Sequence, residues 1–150
     1  MRKEAFFKIE SEEFRQKVLV WANSFSTFLY ITGNNHQNKF GVFPDLLAIG
    51  EVSSFISSDN TFEKLYNYSK QTKDFLFGHL SYDLKNEIEN LHSQHKDYVL
   101  FPLCYFFQPV HLIYFNKDGL TISSETPEDV YKYIVETEVL KDSGNTVIEI

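Results

Sequence analysis

The chain has 150 residues and a mass of 17.6 kDa, a size that suits one compact domain. Hydrophobic residues make up 43% and charged residues 23%, the balance of an ordinary globular chain and not of a disordered one. Acidic residues outnumber basic ones 21 to 14, for a net charge of -7, and no basic cluster appears, which argues against nucleic acid as a partner.

The single cysteine, Cys104, rules out an intramolecular disulfide framework and points to a reducing compartment. Arg2, Lys3, Glu4, Lys8 and Glu10 break up any apolar run of signal-peptide length near the start. The one long apolar stretch, Tyr98 to Phe115, carries Pro102, Gln108, Pro109 and His111, so it reads as strands and not as a membrane span. The expected location is cytoplasmic, with no membrane partner. One figure is unusual: aromatic residues are 17% of the chain, with 15 Phe and 9 Tyr. Either the core is rich in Phe, or some rings lie on a surface meant for a partner.

In chain order, Glu4 to Ile9 reads as a short strand. Ser11 then caps a helix to about Asn23, with Phe14, Val18 and Trp21 at helical spacing and Glu12 and Glu13 in the first turn. Thr27 to Thr32 is β-branched and aromatic and predicts a second strand. Gly33 to Gly41 is polar with glycine at both ends, hence a loop. Leu46 to Ser57 predicts a long strand with a break near Gly50, and Asn60 or Thr61 caps a helix to about Gln71. Asp74 to Tyr82 predicts a strand in which Gly78 marks a bulge or a close backbone approach. Asp83 is placed to cap a short helix from Leu84 to Leu91, with Lys85 and Glu89 at i, i+4 as an ion pair.

Leu103 to Phe107 and Val110 to Asn116 are strands separated at Gln108-Pro109. The turn Lys117-Asp118-Gly119 leads to Leu120 to Ser124, so these strands predict an antiparallel meander. Thr126-Pro127-Glu128-Asp129 has the form of a helix start, and that helix runs to about Thr137. Asn145 to Ile150 predicts a terminal strand. The order lacks a regular βα alternation, so the fold class is α+β with a mostly antiparallel sheet. LCYFF (103–107) and VHLIYF (110–115) hardly alternate apolar with polar. They form either a central pair covered by helices on both sides or a sheet face packed against protein outside this chain.

Catalytic patterns are sparse. No GxGxxG, GxxxxGK[ST] or GxSxG sequence occurs. His92 and His95, near Glu89 and Asp97, have metal-ligand spacing in a polar stretch, though surface histidines are far commoner than ligands. His79 and His111 lie on apolar strands and read as core or edge residues. Cys104, set among aromatics, reads as an inert buried thiol. Asp83, Glu87 and Glu89 have a structural account and need no catalysis.

The segment FLFGHLSYDLKNEIENL (75–91), followed by LFPLCYFFQPVHLIYF (100–115), resembles the N-terminal region of component I of the chorismate-utilising synthases. These are anthranilate synthase and para-aminobenzoate (aminodeoxychorismate) synthase. In that family a strand ending in a Gly-x-x-Gly-Tyr-Asp-like motif leads into a short helix, a Leu-Pro segment and two strands. Gly78, Tyr82, Asp83, Leu84 and Pro102 stand in the matching places, and Ser81 replaces the second glycine. The wording YDLKNEIENL is closer to the para-aminobenzoate branch.

The resemblance implies a non-catalytic domain. Chorismate, magnesium and the catalytic acids and bases belong in this family to a larger C-terminal domain, none of whose motifs occurs here. The expected cofactor set of the chain is therefore empty. Its expected partners are its own C-terminal catalytic domain and a glutamine amidotransferase, with a homodimer possible when it is isolated. The family also carries a tryptophan pocket, whose matching positions here are Thr32 and Gly33, then Phe40, Gly41 and Phe43 across the loop. Ile31 replaces a polar residue of that signature. The same residues read without the resemblance as a strand cap and core aromatics. The anthranilate synthase domain with a feedback site, and a stand-alone binding or dimerisation module, remain the alternatives.

Overall fold

The computed structural model describes residues 2–9, 11–33, 45–89 and 101–139. Its strands are β1 (Lys3–Lys8), β2 (Phe28–Ile31), β3 (Asp45–Ile49), β4 (Ser53–Ser57), β5 (Phe77–Leu80), β6 (Cys104–Gln108), β7 (His111–Asn116) and β8 (Gly119–Ser124). Its α-helices are α1 (Glu12–Ala22), α2 (Thr61–Thr72), α3 (Lys85–Glu89) and α4 (Pro127–Glu136), with a 3-10 turn at Tyr82–Leu84. The class is α+β, and every strand pair is antiparallel.

Two sheets form, in the orders β1-β8-β7-β3-β2 and β4-β6-β5. One face of the larger sheet presents Leu47, Ile49, Ile113, Leu120 and Ile122 to Val18 and Ala22 of α1 and to Val130 and Ile134 of α4. Phe7 stacks on Tyr131 at 4.2 Å between ring centres, and this joins β1 to α4. The opposite face presents Leu46, Ala48 and Leu112 to Phe107 of the smaller sheet. Residues of β3 are thus buried whichever way they point, which is why its sequence does not alternate. The lack of alternation in β6 and β7 has the same origin, but the covers differ from the expectation. Helices lie on one side of β7 and a second sheet on the other.

The expected long strand over Leu46 to Ser57 is two strands in different sheets. Gly50 breaks it with a φ of +71°, a conformation that costs a residue with a Cβ and costs glycine little. The expected meander is also divided: β7 and β8 form a hairpin in the larger sheet, whereas β6 is the centre of the smaller one. Pro109 lies in the crossover between them, where a missing N–H removes no ladder bond.

Helix starts depart from local expectation in an instructive way. Neither Ser11 nor Thr126 donates or accepts a side-chain capping bond. Helix α2 begins at Thr61, whose N–H and hydroxyl both donate to the Glu87 carboxylate, at 2.8 and 2.7 Å. A carboxylate 26 residues away therefore caps this helix, and Asn60 before it sits in the left-handed region. Asp83 does not cap the next turn: Ser81 does, its Oγ accepting from the Asp83 N–H at 3.3 Å. Lys85 pairs with Asp83 at 3.3 Å, in place of the expected Glu89 partner. The strand expected from Asp74 is confined to Phe77–Leu80, because Asp74 is drawn away to Arg2 and Gln108. The expected strand at Asn145 to Ile150 lies outside the described residues.

Gly78 is the close approach that its place in the sequence suggested. A Cβ there would overlap the Tyr105 carbonyl oxygen and lie 2.7 Å from the Phe106 Cα, both backbone atoms of the central strand β6. Backbone cannot move aside as a side chain can. Gly78→Ala is accordingly expected to destabilise the chain by at least about 2 kcal/mol, read as a lowered urea midpoint at unchanged slope.

Candidate functional site

The two sheets are in contact at Phe107 and part toward one end. There an apolar cleft of about 650 Å³ opens between the start of β2 and the smaller sheet. Its walls are Phe28 and Leu29 on one side and Ile56, His79, Phe101 and Tyr105 on the other, with Phe107 at the bottom. The register explains this lining. Ile56, Tyr105 and His79 are directly paired across β4, β6 and β5, so all three project from the same face. Ile56 is 65% exposed, Phe101 59% and Phe28 42%, values unusual for large apolar side chains that already flank a core.

The polar groups of the cleft are few and fixed. His79 packs against Phe101 with the rings tilted by 32° and 4.4 Å between centres, and its Nε2 lies 3.1 Å from the Pro102 carbonyl oxygen. A carbonyl can only accept, so Nε2 carries the proton in the neutral ring and Nδ1 is left as an acceptor. Tyr105 donates its hydroxyl proton to Glu51 at 2.7 Å, and Thr27 donates to the same carboxylate oxygen at 3.3 Å. The bonds from Tyr105 and Ser54, with Thr27 adding to them, hold the Glu51 carboxyl below its ordinary value of 4.5 against a small opposing effect of burial. Burial, then the bond to Glu51, raises the Tyr105 phenol. Bonded to Tyr105 and Thr27 of the lining, Glu51 thus sets a negative charge beside the cleft at neutral pH.

Thr32 and Gly33 are brought together, but at the opposite end of β2 from the cleft. Both engage Asp45: the Gly33 N–H donates to its carboxylate at 3.0 Å and the Thr32 side chain bonds to it as well. Arg15 forms an ion pair with the same carboxylate and lies over the Phe115 ring, 4.6 Å from its centre. Burial alone would raise the Asp45 carboxyl, but Gly33, Thr32 and Arg15 outweigh it and hold it below 3.8. The Thr32 hydroxyl is thus already committed to a partner within the chain. Phe40, Gly41 and Phe43 lie outside the described residues.

The other motif positions fall in two groups. Gly78 and Pro102 line the cleft. Tyr82 is 82% exposed, with the Lys85 ammonium 4.6 Å from its ring centre, and Asp83 pairs with Lys85. Among the described residues no three His, Cys, Asp or Glu side chains converge as a metal-ligand set; His92, His95 and Asp97 lie outside them. Among the described residues, too, no helix is long and apolar enough to cross a membrane. Cys104 is fully buried, and burial, then the Glu87 charge, raises its thiol, as expected of an inert cysteine. Sequence reasoning missed Glu51, Phe28, Ile56 and Phe101 as neighbours, and these four come from three separate stretches of chain.

A second, polar pocket of about 490 Å³ lies where β6 crosses to β7. Arg2 fills its acceptors' needs, donating to the Pro109 and Val110 carbonyls and to Asp74 at 2.7 Å. Asp74 also accepts from Gln108 at 2.8 Å. His111 borders this network, its Nδ1 2.8 Å from the Ser124 hydroxyl, with Trp21 and Phe25 packed against the ring. No protein-family model matches the chain, and no curated protein matches it significantly.

Burial, then the Arg2 charge, holds the His111 imidazole below 6.5, so the folded chain resists taking up a proton that the unfolded chain accepts. The stability this ring contributes is complete above that value and falls as the pH drops below it. Asp45, Glu51 and Asp74 act only below their own ordinary values of 3.8 to 4.5. Urea midpoints at pH 7.5 and 5.5 should therefore differ for the parent chain, and the difference should shrink in His111→Asn. An equal loss in both proteins would assign the effect elsewhere.

Proposed function

We propose that the chain is the N-terminal, non-catalytic domain of an aminodeoxychorismate synthase component I. In that role it supports a chorismate-binding catalytic domain that aminates chorismate with ammonia from a glutamine amidotransferase, on the route to para-aminobenzoate and folate. Magnesium and the acid–base groups of that reaction belong to the catalytic domain.

The observation that carries this reading is the course of the chain through the resembling segment. It runs from strand β5 through the Tyr82–Leu84 turn into α3, then from Pro102 into β6 and β7. Gly78 lies against the β6 backbone where β5 meets β6, and Pro102 supplies the carbonyl that fixes His79. This order among the described residues agrees with the family motif, and that agreement is what supports the reading. A tryptophan-like ligand at the Thr32 end of β2 belongs to the same reading, and it would have to compete with Asp45 for the Thr32 hydroxyl.

The test is kinetic and uses the chain with and without its proposed partner. Alone, given chorismate, ammonia and magnesium, it should turn over nothing. Mixed with a separately produced chorismate-binding domain of the para-aminobenzoate branch, it should form a complex and raise the turnover of that domain. Turnover by the chain alone, or failure to bind the catalytic domain, would overturn the proposal.

A further inference from the structure

We infer that the cleft between the sheets is a binding site for a planar apolar molecule carrying a protonated amine. This stands independently of the scaffold role above and lies at the other end of β2 from Thr32.

The shape and the lining set the first half of that description. A volume of about 650 Å³ is within the range of small-ligand sites, and its walls are mainly rings and aliphatic chains. The rings of Phe101, His79 and Tyr105 are tilted against one another, at 4.4 Å and 6.2 Å between ring centres. A flat ring inserted beside them would bury faces that now meet water.

The polar groups set the second half. The Tyr105 and Thr27 protons are both directed at Glu51, so neither is free to meet a ligand acceptor. His79 spends its Nε2 proton on the Pro102 carbonyl and offers only the Nδ1 lone pair. Glu51, bonded by Tyr105 and Thr27 of the lining and by Ser54, places a carboxylate charge beside the cleft. Among the described residues that line the cleft, the Ser26 hydroxyl can serve as donor or acceptor, and none is Lys or Arg. The site therefore presents acceptors and a negative charge around an apolar floor. It matches a ligand that donates from a cationic nitrogen and repels one that ends in a carboxylate.

An indole series isolates the charge at constant ring size: indole is neutral, tryptamine cationic and indole-3-propionate anionic. Calorimetric titration at pH 7 and low salt should rank tryptamine above indole, by about threefold to fivefold, and indole above the propionate. Added salt should narrow the gaps. Glu51→Gln keeps an acceptor for Tyr105 but removes the charge, so it should bring tryptamine to the affinity of indole and leave indole unchanged. Ile56→Lys, at a position already exposed, should reverse the ranking of the charged pair. Equal or tighter binding of the propionate, a tryptamine advantage that survives Glu51→Gln, or no binding of any of the three would overturn the inference.

Discussion

Both sheets depend on one corner, where the chain crosses between them twice in the same place. Gly50 turns β3 out of the larger sheet toward β4, and Pro109-Val110 brings β6 back into it as β7. The two crossings are tied to their neighbours by backbone bonds: Gly50 N–H to Thr27, Val52 N–H to Gln108 and Val110 N–H to Ile49, at 2.9, 2.9 and 3.0 Å. They are packed so closely that a Cβ on Gly50 would lie 2.9 Å from the Val110 methyl. Arg2 closes the corner from outside by donating to the Pro109 and Val110 carbonyls. Backbone groups in connections are ordinarily left to water; here they are satisfied within the protein, which lets the connections sit against the core.

The rest of the architecture follows from that corner. Because β3 and β7 continue from it in one sheet and β4 and β6 in the other, the inner faces meet at Phe107, Leu46, Ala48 and Leu112. The Ser26 end of β2 and the Ile56 end of β4 remain apart, and the gap between them is the cleft. Its aromatic walls answer the compositional puzzle in part: several of the abundant rings pack in the two cores, while Phe28 and Phe101 line an open space. Three carboxylates among the described residues are likewise occupied by structure. Asp45 holds Thr32, Gly33 and Arg15, Glu87 caps α2, and Asp74 joins Arg2 to Gln108.

Sequence patterns carried the local features well, for physical reasons that are visible residue by residue. Gly78 announced a close approach and Gly50 a break, since each lies where a strand pattern would otherwise exclude glycine. Pro127 with Glu128 and Asp129 announced α4. What the patterns could not carry was partnership across distance. Nothing near Thr61 reveals that Glu87 caps it, and nothing in Leu46 to Ser57 reveals that its halves join different sheets. Continuous apolar runs state that both faces of a strand are covered, but a helix and a second sheet cover equally well. The cleft was hidden for the same reason, because its walls come from the starts and ends of β2, β4, β5 and β6.

Amide hydrogen exchange followed by NMR examines the corner directly. The amides of Gly50, Val52 and Val110 belong to connections, yet each is bonded to a backbone carbonyl at the junction of the sheets. The account predicts that they exchange as slowly as the central amides of Ile113 and Ile122, through unfolding of the whole domain. Exchange at the rate of an open loop would contradict it, and would mean that the two sheets are not held together at this point.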